Sequence, residues 1–212
     1  MLILTLLDNP LAFAAYILAL IIGFTVHEFA HAFAANQLGD DTAKLMRRLT
    51  LNPLAHLDPL GTIFLLAFGF GWGKPVEINP NRLKSRTDEI IVSLAGIFAN
   101  LVLATLFYLP IRLGLIDTNS LASVLLHFIV LINLYLAAFN ILPIPPLDGS
   151  HVISVFLPII TRNIIASLGT YLLLFILIFS SFGGGASLLS TIMNPIVSFF
   201  SLLTTGNSSF AF

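Results

Sequence analysis

Long apolar segments dominate the hydrophobicity pattern of the chain, and short polar stretches separate them. A membrane-spanning helix needs about 20 mostly apolar residues. Four segments have that length or close to it: 11–35, 90–111, 121–142 and 164–182. A fifth, 188–203, is shorter and is interrupted by Asn194-Pro195. The pattern predicts an all-α polytopic membrane protein, a bundle of about five to six transmembrane helices.

Two apolar stretches are too short to cross a membrane. Residues 60–73, LGTIFLLAFGFGWG, are apolar but rich in glycine. Non-helical backbone at membrane depth is tolerated only where protein or a water-filled cavity satisfies its polar groups. We therefore expect a re-entrant or β-like segment near residues 48–80. Residues 149–160 are also short, and we expect a half-helix behind Asp148.

Composition supports the membrane assignment. The chain has 212 residues, of which 58% are hydrophobic and only 9% are charged, whereas soluble domains carry about 25% charged residues. We expect residues 1–212 to form a single membrane-embedded domain in contact with the lipid bilayer. A net charge of −1 and the absence of a basic tract give no indication of nucleic acid. The absence of cysteine excludes thiolate metal ligands.

The basic residues predict the orientation in the membrane. If 60–73 does not cross, eight basic residues share one side: Lys44, Arg47, Arg48, Lys74, Arg82, Lys84, Arg86 and Arg162. Only Arg112 falls on the other side. Basic loops favour the cytoplasm, so the N-terminus is predicted outside. Five crossings would then place the C-terminal tail on the cytoplasmic side.

A polar cluster interrupts the first apolar segment. His27, Glu28 and His31 fit the pattern H-E-x-x-H, and charged residues are costly inside a membrane span. Positions four residues apart share one helix face, so both imidazoles can reach one metal ion. Glu28 lies close enough to act as general base on a water at that metal. Zinc suits two nitrogen ligands and one carboxylate.

The third ligand must come from another part of the chain. Asp148, in NILPIPPLDGSHV, is the best candidate, because prolines break the helix before it and hold the chain extended. Asp148 could instead only cap the short helix that follows. His151 is a rival ligand. His127, within an apolar segment, is more typical of a histidine that forms a hydrogen bond inside the bundle. For His56, in a polar loop, a structural or substrate-contacting role is expected rather than ligation.

Two asparagines lie within the apolar segments. Asn100 and Asn140 could each donate a hydrogen bond to an oxyanion or a peptide substrate without carrying a charge. They could equally bond neighbouring helices together. We treat both as candidate catalytic residues.

Together these motifs resemble the site-2 protease family, the intramembrane zinc metalloproteases. The resemblance rests on five ordered blocks: FTVHEFAHAFAANQLGDDTA (24–43), RLTLNPLAHLDPLGT (48–62), GWGKPV (71–76), SLAGIFAN (93–100) and NLYLAAFNILPIPPLDGSHV (133–152). It implies Zn²⁺ as cofactor, with His27, His31 and Asp148 as ligands and Glu28 activating water. It also implies that the amides of Asn100 and Asn140 lie near the active site, and that substrates are transmembrane proteins or peptides.

The chain is most similar to the compact branch of that family, which lacks PDZ and CBS domains, and the resemblance implies a prokaryotic cell membrane. It departs from the family at two positions. A glycine is usual where Met46 or Arg47 precedes RLTLNP, and a proline is usual where Ile97 follows Ala95-Gly96. Both positions bear on local backbone shape rather than on the catalytic set. Two other functions stay open: a zinc enzyme with a lipid or other non-peptide substrate, and an inactive relative that binds membrane partners.

Overall fold

The computed structural model describes residues 8–68, 71–117, 119–182 and 188–210. These ranges contain eight α-helices: α1 (Pro10–Gln37), α2 (Thr42–Leu45), α3 (Pro59–Phe68), α4 (Arg86–Arg112), α5 (Leu121–Asn140), α6 (Asp148–Ser154), α7 (Ile159–Phe182) and α8 (Leu188–Thr205). Short 3-10 turns occupy Pro53–Ala55 and Pro80–Arg82. The predicted all-α fold class is confirmed.

Four of the described helices, α1, α4, α5 and α7, are long and apolar enough to cross a membrane. The last helix, α8, is apolar but shorter. This pattern defines a multi-pass membrane protein, as the apolar segments predicted.

Capping residues mark the starts of three of the long helices. Asn9 precedes Pro10, and its side chain accepts a hydrogen bond from the amide of Ala12 at the start of α1. Ser85 and Asp88 form a capping box at the start of α4. Ser120 accepts from the Ser123 amide at the start of α5. Each cap satisfies amides that have no partner within the helix.

Helices α1, α4 and α5 pack against one another to form the centre of the bundle. Their contacts depend on small side chains, which let helix backbones approach closely inside a membrane. The fully buried alanines of these helices are Ala19, Ala32, Ala35, Ala104, Ala137 and Ala138. Helix α8 packs on α4 and α5, with Val197 completely buried. This packing holds the polar cluster of α1 against α4.

The bundle has two distinct ends. We call the end formed by the start of α4 and the end of α5 the site end. At the opposite, far end, the ring of Tyr16 near the start of α1 lies 6.4 Å from that of Phe128. Phe210 in the C-terminal tail also lies there, 5.0 Å from the ring of Tyr108 and 5.3 Å from that of His127.

The position of Phe210 contradicts the prediction that the tail shares the side of the basic residues. Arg162, in the first turn of α7, lies at the site end beside Glu89. Gly169 is still close to that end, because a Cβ there would lie 2.5 Å from Pro145 in the loop before α6. The chain is therefore at the site end at Arg162 and at the far end at Phe210. Hydropathy measures the length of an apolar segment and not the path that it takes, which explains the error.

The predicted re-entrant segment is helical first and extended afterwards. Helix α3 occupies Pro59–Phe68, and the β-like character within the described ranges is one antiparallel bridge between Leu57 and Gly73. Residues 73–79, which we call the extended segment, follow without helix. The Arg48 side chain donates to the carbonyl of Lys74 over 3.0 Å. The amide of Lys74 donates to the backbone carbonyl of His56 over 2.8 Å.

Asp40 fixes the other end of the extended segment. Its Oδ2 accepts a hydrogen bond of 2.7 Å from the amide of Asn79, and Oδ1 accepts from the amide and the hydroxyl of Thr42. Burial acts to raise the pKa of the Asp40 carboxyl, but these hydrogen bonds and nearby Arg82 outweigh it and hold the pKa below its usual range. The extended segment is thus tied to the chain that follows α1.

Arg47 has a strained backbone, and this leads to a stability prediction. Its φ is 59°, in the left-handed region that costs an L-residue about 1–2 kcal/mol. In the family that the sequence resembles, a glycine is usual at the position of Met46 or Arg47. Arg47→Gly is expected to raise the free energy of unfolding by up to about 1 kcal/mol, since the added chain entropy of glycine offsets part of the gain.

Thermal unfolding in detergent measures this effect. Lys44→Gly is the control, because Lys44 is exposed like Arg47 but lies in a regular helix. That change is expected to destabilise the protein by about 1 kcal/mol. Equal destabilisation by both changes would contradict the assignment of strain to Arg47.

Candidate metal centre

Helix α1 buries three ionisable side chains. His27, Glu28 and His31 are 4%, 6% and 5% exposed. The Nε2 atoms of the two histidines lie 3.0 Å apart. The four-residue spacing in α1 thus directs both imidazoles to one point, as expected for residues on a shared helix face.

Asp148 meets this pair from a distant part of the chain. Its Oδ2 lies 3.1 Å from His27 Nε2 and 3.2 Å from His31 Nε2. Asp148 is the first residue of α6, and the capping position before it is occupied by Leu147, whose side chain cannot cap. The carboxylate points to the histidines rather than to the amides of its own helix. In the parts of the chain that are described, His27, His31 and Asp148 are the group able to hold a metal ion.

The outer nitrogens of the two imidazoles have partners on α4. His27 Nδ1 lies 2.7 Å from Asn100 Oδ1, and His31 Nδ1 lies 2.7 Å from the carbonyl oxygen of Val92. Because these oxygens only accept, each Nδ1 carries a hydrogen, and in the neutral imidazole that binds a metal each Nε2 then holds the lone pair. Two such lone pairs and a carboxylate oxygen then face one another. This donor set fits a zinc ion, which would replace repulsion between the three atoms with coordination.

Asn100 is oriented by two further contacts. Its Nδ2 donates to the carbonyl of Gly23 over 3.1 Å and to Asn133 Oδ1 over 2.7 Å. Both amide hydrogens are thus in use, and Oδ1 is directed to His27. In this geometry Asn100 has no free hydrogen to donate to a substrate, and its predicted catalytic contact stays a prediction. Its contacts support a role in orienting the imidazole of His27.

Asn133 belongs to the same hydrogen-bond network, although it was not selected as a candidate from the sequence. It is completely buried on α5, and it donates to the carbonyl of Ile129 while accepting from Asn100. The network therefore links α5, α4 and His27 on α1. Like Asn100, Asn133 is a polar side chain within an apolar segment, and this feature of the sequence could have identified it.

Glu28 lies in a cavity of about 280 Å³ whose lining also includes His31 and Asp148. Its Oε2 accepts a hydrogen bond of 2.8 Å from the amide of Val76 in the extended segment. One carboxylate oxygen is thereby held in place, and a carboxylate has further acceptor capacity. The cavity has room for several water molecules beside this carboxylate.

Gly96 allows α4 to lie close to the two histidines. A Cβ at this position would lie 2.4 Å from His31 Nε2 and 2.6 Å from His27 Cε1. Any side chain would therefore occupy the space where the ligand atoms converge. Composition and spacing gave no indication of this role, because a single glycine within an apolar helix does not by itself mark a site.

The remaining candidates lie outside the three-residue group. Asn140, at the end of α5, donates to the carbonyl of Leu136 over 3.0 Å, and its predicted catalytic role stays a prediction. His151 lines the same cavity as Asp148. His56 is fully buried and bonds the carbonyl of Thr50, and His127 bonds that of Ser123 at the far end. Both of these last contacts are structural.

A buried two-histidine, one-carboxylate site within a bundle of apolar helices defines a membrane metalloprotein, and comparison with known proteins specifies the class. The model of peptidase family M50 matches residues 112–184. "Putative zinc metalloprotease YwhC" of Bacillus subtilis is 42% identical over 158 residues, which cover 70% of this chain and 72% of that protein.

Two more distant relatives carry the same description. Rip2 of Mycobacterium tuberculosis is 30% identical over 179 residues, covering 80% of this chain and 69% of that protein. MJ0611 of Methanocaldococcus jannaschii is 34% identical over 145 residues, covering 68% and 71%. No solved structure gives a significant match. The chain belongs to peptidase family M50, the site-2 protease family, and is a zinc metalloprotease.

Proposed function

We propose that this metalloprotease cleaves peptide bonds in or near the transmembrane segments of other membrane proteins. The observation that carries the proposal is the position of the metal centre: its two histidines are 4–5% exposed on a helix long enough to cross a membrane. A substrate must reach a site between apolar helices, and a membrane-embedded segment is already at that depth.

The proposed ligands are His27, His31 and Asp148. Zinc held by these side chains supplies a Lewis acid that lowers the pKa of water and polarises a carbonyl group. Asn100 and the Val92 carbonyl keep the hydrogens of the imidazoles on Nδ1, so that each Nε2 can coordinate. Such outer partners orient metal ligands and raise their basicity.

Glu28 is the proposed general base. Its carboxylate accepts a proton from water in the cavity as the water oxygen attacks the peptide carbonyl. The proton is then passed to the amine that leaves when the C–N bond breaks. The Val76 amide steadies the carboxylate through both transfers. This link also ties the base to the extended segment, which lines the cavity through Pro75, Val76 and Ile78.

The extended segment is the proposed binding surface for an unwound substrate. In the described ranges Gly73 alone among residues 73–79 forms a β bridge, and an unpaired edge can add an extended peptide as a further strand. Asp40 and Arg48 hold the segment in place from behind. Substrate pairing here would position the scissile carbonyl beside Glu28.

We also propose that the described helices act as one metalloprotease domain, since they surround one metal centre. The site end, which carries the basic loops, would face the cytoplasm of a prokaryotic cell, with the start of α1 outside. Since Phe210 lies at the far end, the tail would also be outside. A protease-protection experiment on tagged termini in membrane vesicles would test this orientation.

Removal and return of the metal test the proposed chemistry. The purified protein is reconstituted into liposomes with a peptide that has one transmembrane segment. Chelation of zinc is expected to lower the cleavage rate by about a hundredfold or more, because the metal stabilises the transition state by several kcal/mol. Addition of Zn²⁺ is expected to restore the rate, and addition of Mg²⁺ is not. Cleavage that persists in the fully metal-free protein would contradict the proposal.

A further inference from the structure

Arg162 makes three contacts that the proposed reaction does not use. Its Nη2 donates to the carbonyl of Val155 over 2.7 Å, and its Nε donates to that of Leu157 over 3.1 Å. Its Nη1 lies 3.5 Å from Glu89 Oε2. The two charged side chains are 23% and 24% exposed. One guanidinium thus connects the chain after α6 with the first turn of α4.

Val155 and Leu157 follow the end of α6. Carbonyl groups at the end of a helix have no partner within the helix and carry partial negative charge, so a guanidinium is a suitable donor. Helix α6 has only seven residues, too few to be stable alone. It therefore depends on contacts with its surroundings for its position.

The two ends of α6 make different contacts. Asp148 at its start reaches the histidines, and Val155 just after its end is held by Arg162 and is 1% exposed. Glu89, the other partner of Arg162, lies on α4, as do Val92 and Asn100, which orient His31 and His27. The contacts of Arg162 therefore join the element that carries the carboxylate to the helix that orients both imidazoles.

We propose that Arg162 and Glu89 are a positioning pair that sets Asp148 against His27 and His31 and thereby sets the affinity for zinc. This inference rests on the ligand set of the proposed function. Neither residue contacts the metal: Arg162 acts through α6, and Glu89 anchors Arg162. The pairing also neutralises the carboxylate of Glu89, which lines the same cavity as Asp148.

The expected effect is a change in metal affinity. Loss of an outer partner of a metal ligand costs about 10–100-fold in affinity. Because Arg162 acts through a short helix, Arg162→Ala is expected to raise the Kd for zinc about tenfold. Amides of residues 148–155 are expected to exchange hydrogen faster in the variant. Arg162→Lys should lie between, since an ammonium cannot span three separate acceptors as a guanidinium does.

The Kd is measured by competition with a chromophoric chelator, on purified protein in detergent, well below the unfolding temperature. Arg112→Ala is the matched control, since Arg112 ends α4 at the far end, and its Kd is expected to be unchanged. Glu89→Gln leaves both bonds from Arg162 to the carbonyls after α6 available and is expected to raise the Kd for zinc by a smaller factor. The double variant Glu89→Gln/Arg162→Ala should lose less than the product of the single losses.

Three results would overturn either the positioning role of Arg162 or the ligand set itself. Zinc binding within twofold of the wild type in Arg162→Ala, with unchanged exchange at 148–155, overturns the positioning role. The positioning role is also overturned if Arg162→Ala does not fold but Arg162→Lys and Glu89→Gln both bind zinc like the wild type. If Asp148→Asn also leaves the Kd unchanged, the ligand set itself fails, and the proposed function fails with it.

Discussion

Glu28→Gln is expected to abolish peptide cleavage while zinc remains bound. Glutamine has nearly the same shape as glutamate, and its carbonyl oxygen can still accept the hydrogen bond from Val76. The amide cannot take a proton from water. General acid–base catalysis contributes about 10²–10⁴-fold to a rate, so kcat is expected to fall at least about a hundredfold.

Zinc content and cleavage rate are measured on the same preparation. Asp117→Asn makes the same chemical change in the exposed loop between α4 and α5, and it is expected to leave both quantities unchanged. A Glu28→Gln variant that keeps more than about a tenth of the wild-type rate would exclude Glu28 as the base. Loss of zinc from this variant would show instead that the carboxylate supports the metal site.

Gly96→Ala is expected to remove both zinc and activity. The added methyl carbon would lie 2.4 Å from His31 Nε2, far inside ordinary contact distance. Neither partner can easily move away, because α1, α4 and α5 are packed through fully buried small residues. We expect zinc affinity to fall at least about a hundredfold, at the upper end of the effects seen when ligand orientation is lost.

The two variants thus have different signatures: Glu28→Gln keeps zinc, and Gly96→Ala does not. Val102→Ile is the control for Gly96→Ala, since it enlarges a side chain of α4 that is 40% exposed. It is expected to bind zinc normally. A Gly96→Ala protein that is folded and binds zinc as the wild type does would contradict the described approach of α4 to the histidines.

The first half of the metal centre could be predicted from the sequence because it is local. His27, Glu28 and His31 lie within one helix, and helix geometry alone brings the two imidazoles together. Asp148 is different, since it lies 117 residues from His31. The sequence allowed two interpretations, a helix cap or a ligand, and the proposed ligand role is supported by the distances of 3.1 and 3.2 Å from its Oδ2 to the two histidines.

The supporting residues were harder to predict, since their roles depend on which helices are neighbours. Asn100 was selected as a polar residue in an apolar segment, but its direction depends on Asn133 and Gly23 on two other helices. Gly96 has no side chain that could indicate its role. Arg162 was counted only as a basic residue in the orientation argument.

The path of the chain was predictable only in part. Apolar length identified the membrane helices, because the cost of unsatisfied backbone in lipid requires helices of that length. The same measure could not show that the tail returns to the far end. The segment near residues 48–80 was predicted to be re-entrant or β-like from its glycines. Ten of its residues form α3, and the pairing seen in its described part is the bridge between Leu57 and Gly73.

The position of the cut in a substrate distinguishes cleavage within the membrane, which we propose for this zinc metalloprotease, from cleavage outside it. A peptide with one transmembrane segment and soluble flanks is incubated in liposomes with the zinc-loaded protein, and the products are identified by mass spectrometry. New termini are expected inside the apolar segment, formed by the wild type and not by Glu28→Gln. Cuts confined to the soluble flanks, or the same products from both proteins, would contradict the proposal.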